Sequence, residues 1–182
     1  MAAYLKTSER HGNGNHRWRY LIALGSNVRH HRHGDPRGVL RAVLKDLDGL
    51  DTTVEAASPI HGSAPLGPSR RRYANGAALI GSDLTPPALL EYFQQIERHL
   101  GRRPGRRWAA RVLDLDIVLW NGGRWQSASL TLPHPAFRER GFVLAPAAGL
   151  APNWRDPVTG LTLRQLHARL TRRARLPRAT IR

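Results

Sequence analysis

Strict alternation over residues 111–120, RVLDLDIVLW, is the sharpest periodic signal in the chain. A strand has period two, so Val112, Asp114, Asp116 and Val118 fall on one face and Leu113, Leu115, Ile117 and Leu119 on the other. Residues 20–24, YLIAL, read as a buried strand that Gly25, Ser26 and Asn27 end in turn chemistry. Asp35 followed by Pro36 predicts a helix start with Asp as N-cap; Val39, Leu40, Val43, Leu44 and Leu47 then share one helical face. Residues 52–57 read as a short strand, residues 58–72 as irregular, and residues 73–80 alternate as a strand again. A second helix opens at Thr85 and Pro86 and closes at Gly101, with Leu89, Phe93, Ile96 and Leu100 as its apolar stripe. Gln94 and Glu97, three apart, are expected to emerge together on its flank. The order through Trp120 is therefore βαββαβ, the ferredoxin-like arrangement of an α+β fold, with an antiparallel sheet and both helices on one face.

Beyond Trp120 the pattern gives a Gly-rich turn, a segment over residues 130–145 and a basic helix built on Leu163, Leu166 and Leu170. Residues 1–16 are polar and aperiodic and read as a flexible extension; residues 17–170 read as one domain and residues 171–182 as a basic tail. A chain of 182 residues, 41% of them hydrophobic, can bury one sizeable core. Without cysteine there are no disulfides and no thiolate metal sites. The first residues lack a signal peptide's apolar core, and no apolar run is long enough to span a bilayer. A cytoplasmic monomer with no membrane partner is the expectation.

Lys and Arg number 29 against 13 Asp and Glu, a net charge of +16. Such an excess attracts polyanions, which leaves both a nucleic-acid binder and a nucleotide-using enzyme open. Asp114 and Asp116 begin to separate the two. Adjacent carboxylates on a buried-type strand repel each other and lose hydration unless a cation sits between them; the alternative is simply a polar, solvated strand face. Just upstream, Arg102, Arg103, Arg106, Arg107 and Arg111 lie in a segment interrupted by Pro104 and Gly105, which is expected to be a mobile loop. Read alone, it is a solvated basic loop. Running into the carboxylate strand, it could bring arginine forks to the oxygens of a Mg²⁺-bound polyphosphate.

Trp108 interrupts that basic loop, while Tyr73 and Asn75 share a strand face and Phe142 follows Arg140 and Gly141. Aromatic planes suit a flat heterocycle, and an Asn amide offers its edge a donor and an acceptor. Trp18, Trp125 and Trp154 read instead as core. Thr131 and His134, with Arg138 and Arg140 close behind, form a further polar cluster in which His134 is either a structural turn histidine or a phosphate ligand. The tract His30, His31, Arg32, His33 lacks carboxylate support and reads as a solvated loop.

Taken together, residues 24–27 (LGSN), 64–68 (APLGP), Tyr73 with Asn75, Ile96 with Glu97, Arg107 and Trp108 with Arg111, residues 113–117 (LDLDI), and residues 132–135 (LPHP) with 140–142 (RGF) resemble the 6-hydroxymethyl-7,8-dihydropterin pyrophosphokinase family. The similarity runs from about residue 20 to about residue 166. It implies a three-layer αβα elaboration of the ferredoxin-like core. It also implies a transferase of folate biosynthesis that moves pyrophosphate from ATP, with two Mg²⁺ ions, to the hydroxymethyl group of 6-hydroxymethyl-7,8-dihydropterin, yielding AMP. By the same resemblance Asp114 and Asp116 are the metal ligands and, with Arg107 and Arg111, the catalytic set. Gln94, Glu97, Arg102, Arg107, Arg111, Ile117, Thr131, His134 and Arg140 surround ATP, and Ser63, Ala64, Leu66, Tyr73, Asn75, Trp108 and Phe142 line the pterin pocket. Where the family commonly has Trp-Gly-Pro-Arg, this chain has Trp108, Ala109, Ala110 and Arg111. The rival from another class is a basic ferredoxin-like RNA-binding module, which would have no use for two phosphate-repelling carboxylates. An inactive scaffold homologue is the other rival, and the intact Asp, Arg and His set speaks against it.

Overall fold

The computed structural model describes residues 16–49, 51–63, 72–101 and 111–175, with side chains as far as Arg172. Its element order is β1 (Trp18–Ser26), α1 (Pro36–Asp46), β2 (Thr52–Ala57), β3 (His61–Ser63), β4 (Tyr73–Ser82), α2 (Pro86–His99), β5 (Asp114–Trp120), β6 (Trp125–Gln126), β7 (Thr131–Leu132), a 3₁₀ turn (Phe137–Glu139), α3 (Gly141–Leu150) and α4 (Leu163–Arg175). The main sheet runs β2-β4-β1-β5, antiparallel throughout, with β3 also paired to β4. Setting β3 aside, this is the ferredoxin-like strand order, so the expected core stands.

Alternation along the two central strands splits the interior in two. Tyr20, Ile22 and Leu24 of β1 and Ala78 and Ile80 of β4 pack with Val39, Leu40 and Val43 of α1 and Leu89 and Phe93 of α2. Leu21, Ala23, Ala77 and Leu79 face the other way, against Val143, Leu144 and Ala147 of α3 and Leu163 and Leu166 of α4. The result is the three-layer αβα sandwich. Trp18 and Trp125 pack against the first core and Trp154 against the second, as their reading as core residues requires.

Four expectations need correction. Residues 61–63 are not irregular: they form β3, too short to show periodicity and held by its register to β4. The alternation of β5 breaks where Ile22 pairs with Ile117 but Leu21 pairs with Leu119, a bulge that leaves Val118 unpaired. Leu119 therefore joins the second core rather than the Leu113, Leu115, Ile117 face, to which Trp120 belongs instead. Residues 141–150 are a helix the pattern did not announce, because α3 carries Pro146 in its interior and is apolar without an amphipathic stripe. Among helix starts, Asp35 caps α1 as expected through its Oδ1 on the Gly38 N–H (2.8 Å), whereas Thr85 makes no side-chain cap bond. Gly101, at φ 90°, ends α2 in the left-handed conformation its position called for.

Candidate functional site

Sheet register assembles the site before any side chain is considered. Asn75 of β4 pairs with Gly25 of β1, and Gly25 with Asp114 of β5; one step along, Ala77 pairs with Ala23 and Ala23 with Asp116. Ala23 and Ala77 lie in the second core, so these two rows face α3 and α4. Between the carboxylates and Asn75 the floor consists of Ala23, Gly25 and Ala77, the smallest residues available. A Cβ on Gly25 would stand 3.5 Å from Asn75 Oδ1 and 3.9 Å from Asp114 Cβ, so even a small side chain there would enter the space between the two groups.

On the Asn75 side, β3 contributes the wall. Ser63 pairs with Tyr73 and His61 with Asn75, and Asn75 Nδ2 donates to Ser63 Oγ at 2.7 Å. That bond fixes the amide of a residue only 6% exposed. Tyr73, Asn75 and Ser63 are thus brought together as expected. Phe142, the second residue of α3 and part of the second core's margin, has the Arg140 guanidinium 5.9 Å from its ring centre. Ala64, Leu66, Arg102, Arg107 and Trp108 lie outside the described residues.

On the carboxylate side, Arg111 Nη1 donates to Asp114 Oδ1 in a close ion pair. Arg111 is held in turn by Asn27, whose N–H donates to the Arg111 carbonyl (3.1 Å) and whose Oδ1 accepts the Arg111 N–H (2.8 Å). Asn27 stood in the LGSN motif without an assigned role, and this reciprocal pairing supplies one. Around Asp116, Arg140 Nη1 stands 3.7 Å and His134 Nε2 4.0 Å from Oδ2. The Ala136 N–H donates to His134 Nδ1 (3.2 Å), which leaves the imidazole proton on Nε2, the atom facing the carboxylate. Burial pushes the Asp116 carboxyl above the ordinary range and the Asp114 charge adds to it, against the opposing pull of His134, Arg140 and Arg111. Burial likewise lowers the His134 imidazole, with Asp116 opposing.

Glu97 and Gln94 do not emerge together. Glu97 is 2% exposed and its Oε1 accepts the Leu115 N–H at 2.8 Å, gripping the backbone between the two aspartates, while Gln94 points to solvent. Three residues apart on a helix, the two are neighbours only about 60° apart, but the boundary of the buried face falls between them. Ile117 is buried in the first core, on the face opposite the aspartates. Thr131 lines a groove of about 570 Å³ with Arg124, Trp125, Pro135, Arg138 and Val158.

Two carboxylates, with no third Asp, Glu or His completing a cage among the described residues, suit a hard cation that keeps its remaining positions for water and phosphate. Burial and Asp114 raise the Asp116 carboxyl, and a divalent ion there would favour its charged form.

Comparison with known proteins follows the same lines. The profile of the 7,8-dihydro-6-hydroxymethylpterin-pyrophosphokinase (HPPK) family matches residues 21–152. A 2-amino-4-hydroxy-6-hydroxymethyldihydropteridine pyrophosphokinase from Synechocystis sp. is 40% identical over 149 residues, covering 80% of this chain and 73% of that one. Its counterpart in Pseudomonas aeruginosa is 40% identical over 141 residues, 76% of this chain and 84% of the other. Among solved structures, a Plasmodium falciparum HPPK-DHPS with pteroate superposes with a TM-score of 0.66 at 10% identity; the match covers 88% of this chain and 44% of that longer one, and it speaks for the fold.

Proposed function

Because the chain belongs to the 7,8-dihydro-6-hydroxymethylpterin-pyrophosphokinase family, enzymes of pyrophosphoryl transfer in folate biosynthesis, we propose that it transfers the terminal diphosphate of ATP to 6-hydroxymethyl-7,8-dihydropterin and releases AMP. The observation that carries this reading is the row Asp114, Gly25, Asn75. Strands sit ~4.8 Å apart, so the backbones of Asn75 and Asp114 lie roughly 10 Å apart with one strand between them, and an amide that can read a heterocycle edge faces the carboxylate across a bare floor. A pterin held at Asn75 and Ser63 would direct its hydroxymethyl toward Asp114.

Asp114 and Asp116 would hold two Mg²⁺ ions, which neutralise charge on the bridging and terminal phosphate oxygens when bound. The other residues do what fixed groups can. Arg140 and Arg111 flank the aspartates as cations, and His134 presents a neutral Nε2–H to the same space. Glu97 and Asn27 hold the strand backbone and Arg111 in register. The pterin hydroxyl attacks directly, so no side-chain nucleophile is needed; the proton it loses passes to a site carboxylate or to solvent. Arg102, Arg107 and Trp108 complete the proposal as phosphate and pterin contacts carried by the segment that precedes Arg111. We further propose that residues 17–170 form the catalytic domain, that the enzyme works as a monomer in the cytoplasm, and that residues 171–182 stand outside catalysis. No helix among the described residues is long and apolar enough to cross a membrane.

An RNA-binding role loses its footing with the family assignment. The test is AMP formation from ATP with and without the hydroxymethyl pterin: pterin-dependent AMP is expected, and its absence from folded, Mg²⁺-supplied protein would overturn the reading.

A further inference from the structure

His134 and Arg140, whose Nε2 and Nη1 stand 4.0 and 3.7 Å from Asp116 Oδ2, lie at the two ends of one short stretch of chain. The His134 N–H bonds to the Val118 carbonyl of β5 (3.0 Å), the 3₁₀ turn Phe137–Glu139 follows, and Arg140 then sits at the N-terminus of α3. The placement of the pair relative to Asp116 therefore depends on what holds that turn. Phe137 is one anchor, 1% exposed in the second core.

Arg138 is the other. Its Nε and Nη2 donate to the two oxygens of Asp156 at 2.8 and 2.7 Å. Asp156 is fully buried, and its carboxylate also accepts the Val158 N–H (3.1 Å) and the Thr159 hydroxyl (2.6 Å). Four donors fill its four acceptor positions. The loop that carries it is closed on itself by Asp156 N–H to the Leu161 carbonyl and Gly160 N–H to the Asp156 carbonyl, both 2.9 Å. Burial works against this charge, but the Arg138, Thr159 and Val158 bonds outweigh it and hold the carboxyl below the ordinary range. A buried ion pair contributes little net stability compared with an apolar pair of the same shape; what it supplies is a fixed, bidentate geometry. Here that geometry sits two residues from Arg140. The family match ends at residue 152, and Asp156 lies beyond it.

We propose that Asp156 and Arg138 are positioning residues for phosphate binding: the pair locks the 3₁₀ turn so that His134 and Arg140 meet the nucleotide at the Asp116 end of the site. The inference rests on the ATP-dependent reading above. It makes the loop after α3 part of the machinery without letting it touch substrate.

Arg138→Met alone strands a buried carboxylate and is expected to lower the melting temperature; Arg138→Met with Asp156→Leu removes both charges and is expected to recover part of that loss, the Val158 N–H and the Thr159 hydroxyl being left without their acceptor. In that double variant turnover should stay down by about 10²-fold, because a displacement of about 1 Å is enough to cost that much. Calorimetry should show weakened binding of a non-hydrolysable ATP analogue with pterin affinity unchanged. Arg138→Lys, which keeps the charge and loses the fork, should fold like the parent and share the nucleotide defect. A double variant or an Arg138→Lys protein that folds like the parent and keeps its turnover and nucleotide affinity would overturn the proposal, as would equal losses for both ligands. The parent runs alongside: a parent without pterin-dependent AMP formation sinks the functional reading, whereas the ion pair is judged by variants of an active parent and by their nucleotide binding.

Discussion

Asp116 is the residue at which stability and function pull apart. Its carboxyl is held above the ordinary range by burial and by Asp114. A carboxyl raised in the folded state binds its proton more tightly there than in the unfolded chain. Its contribution is thus fully present below the unfolded value and lost as pH rises through the folded one. At neutral pH and without metal, the raised Asp116 carboxyl therefore works against the fold. Asp116→Asn should raise the metal-free melting temperature at pH 7, and the gain should shrink as pH falls into the carboxylate range; thermal melts in chelator across that pH interval read it directly. The same substitution, or Asp114→Ala, should lower turnover by orders of magnitude. At the pterin end, Asn75→Ala removes the amide that Ser63 orients and should weaken pterin binding while leaving ATP affinity nearly intact, as calorimetry with each ligand would show.

At the level of elements, strand register does more than loop chemistry to build this site. Register sets Asn75 and Asp114 on either side of Gly25, and without a side chain Gly25 leaves the space between them open. Gly25→Val should leave the sheet paired, since valine suits a strand, yet block pterin binding; a folded variant with parental pterin affinity would contradict the floor assigned to it. Glu97 belongs to the same scale. Glu97→Ala leaves the Leu115 N–H without its acceptor in a buried place and should lower stability by about 1–3 kcal/mol, measurable by denaturant unfolding. Much of this was legible beforehand. Period-two alternation found β5 and both aspartates, and helix punctuation found α1 and α2. What escaped had local signals too weak or misleading: three residues of β3 stabilised only by pairing, a bulge that turned Leu119 to the other layer, and α3, whose Pro146 and all-round apolar surface hide a helix buried by its neighbours. Asp156 escaped as well. A lone acid in a turn-forming D-P-V-T-G run looks like loop punctuation until the fold sets Arg138 beside it.

For the molecule as a whole, the three layers divide the labour. The α1 and α2 layer reaches the site through Glu97, which holds the Leu115 N–H between the two aspartates, while the α3 and α4 layer meets it at Phe142 and Arg140. The basic surface extends past it: Arg164, Arg169 and Arg172 are exposed on α4, a helix without a single acidic residue. Leu163 and Leu166 secure that helix to the core, so removing the residues after Leu170 should spare AMP formation while abolishing salt-sensitive retention on a polyanion column. A large loss of turnover at constant folded fraction would instead tie the last residues to the site. If the two rows Asp114–Gly25–Asn75 and Asp116–Ala23–Ala77 form one pyrophosphoryl-transfer site, AMP release from ATP in the presence of Mg²⁺, measured with and without 6-hydroxymethyl-7,8-dihydropterin for the parent and for Asp116→Ala, will show it. AMP is expected from the parent only when pterin is present, and almost none from the variant despite its intact fold. Equal AMP formation by the two proteins, or by the parent without pterin, would contradict it.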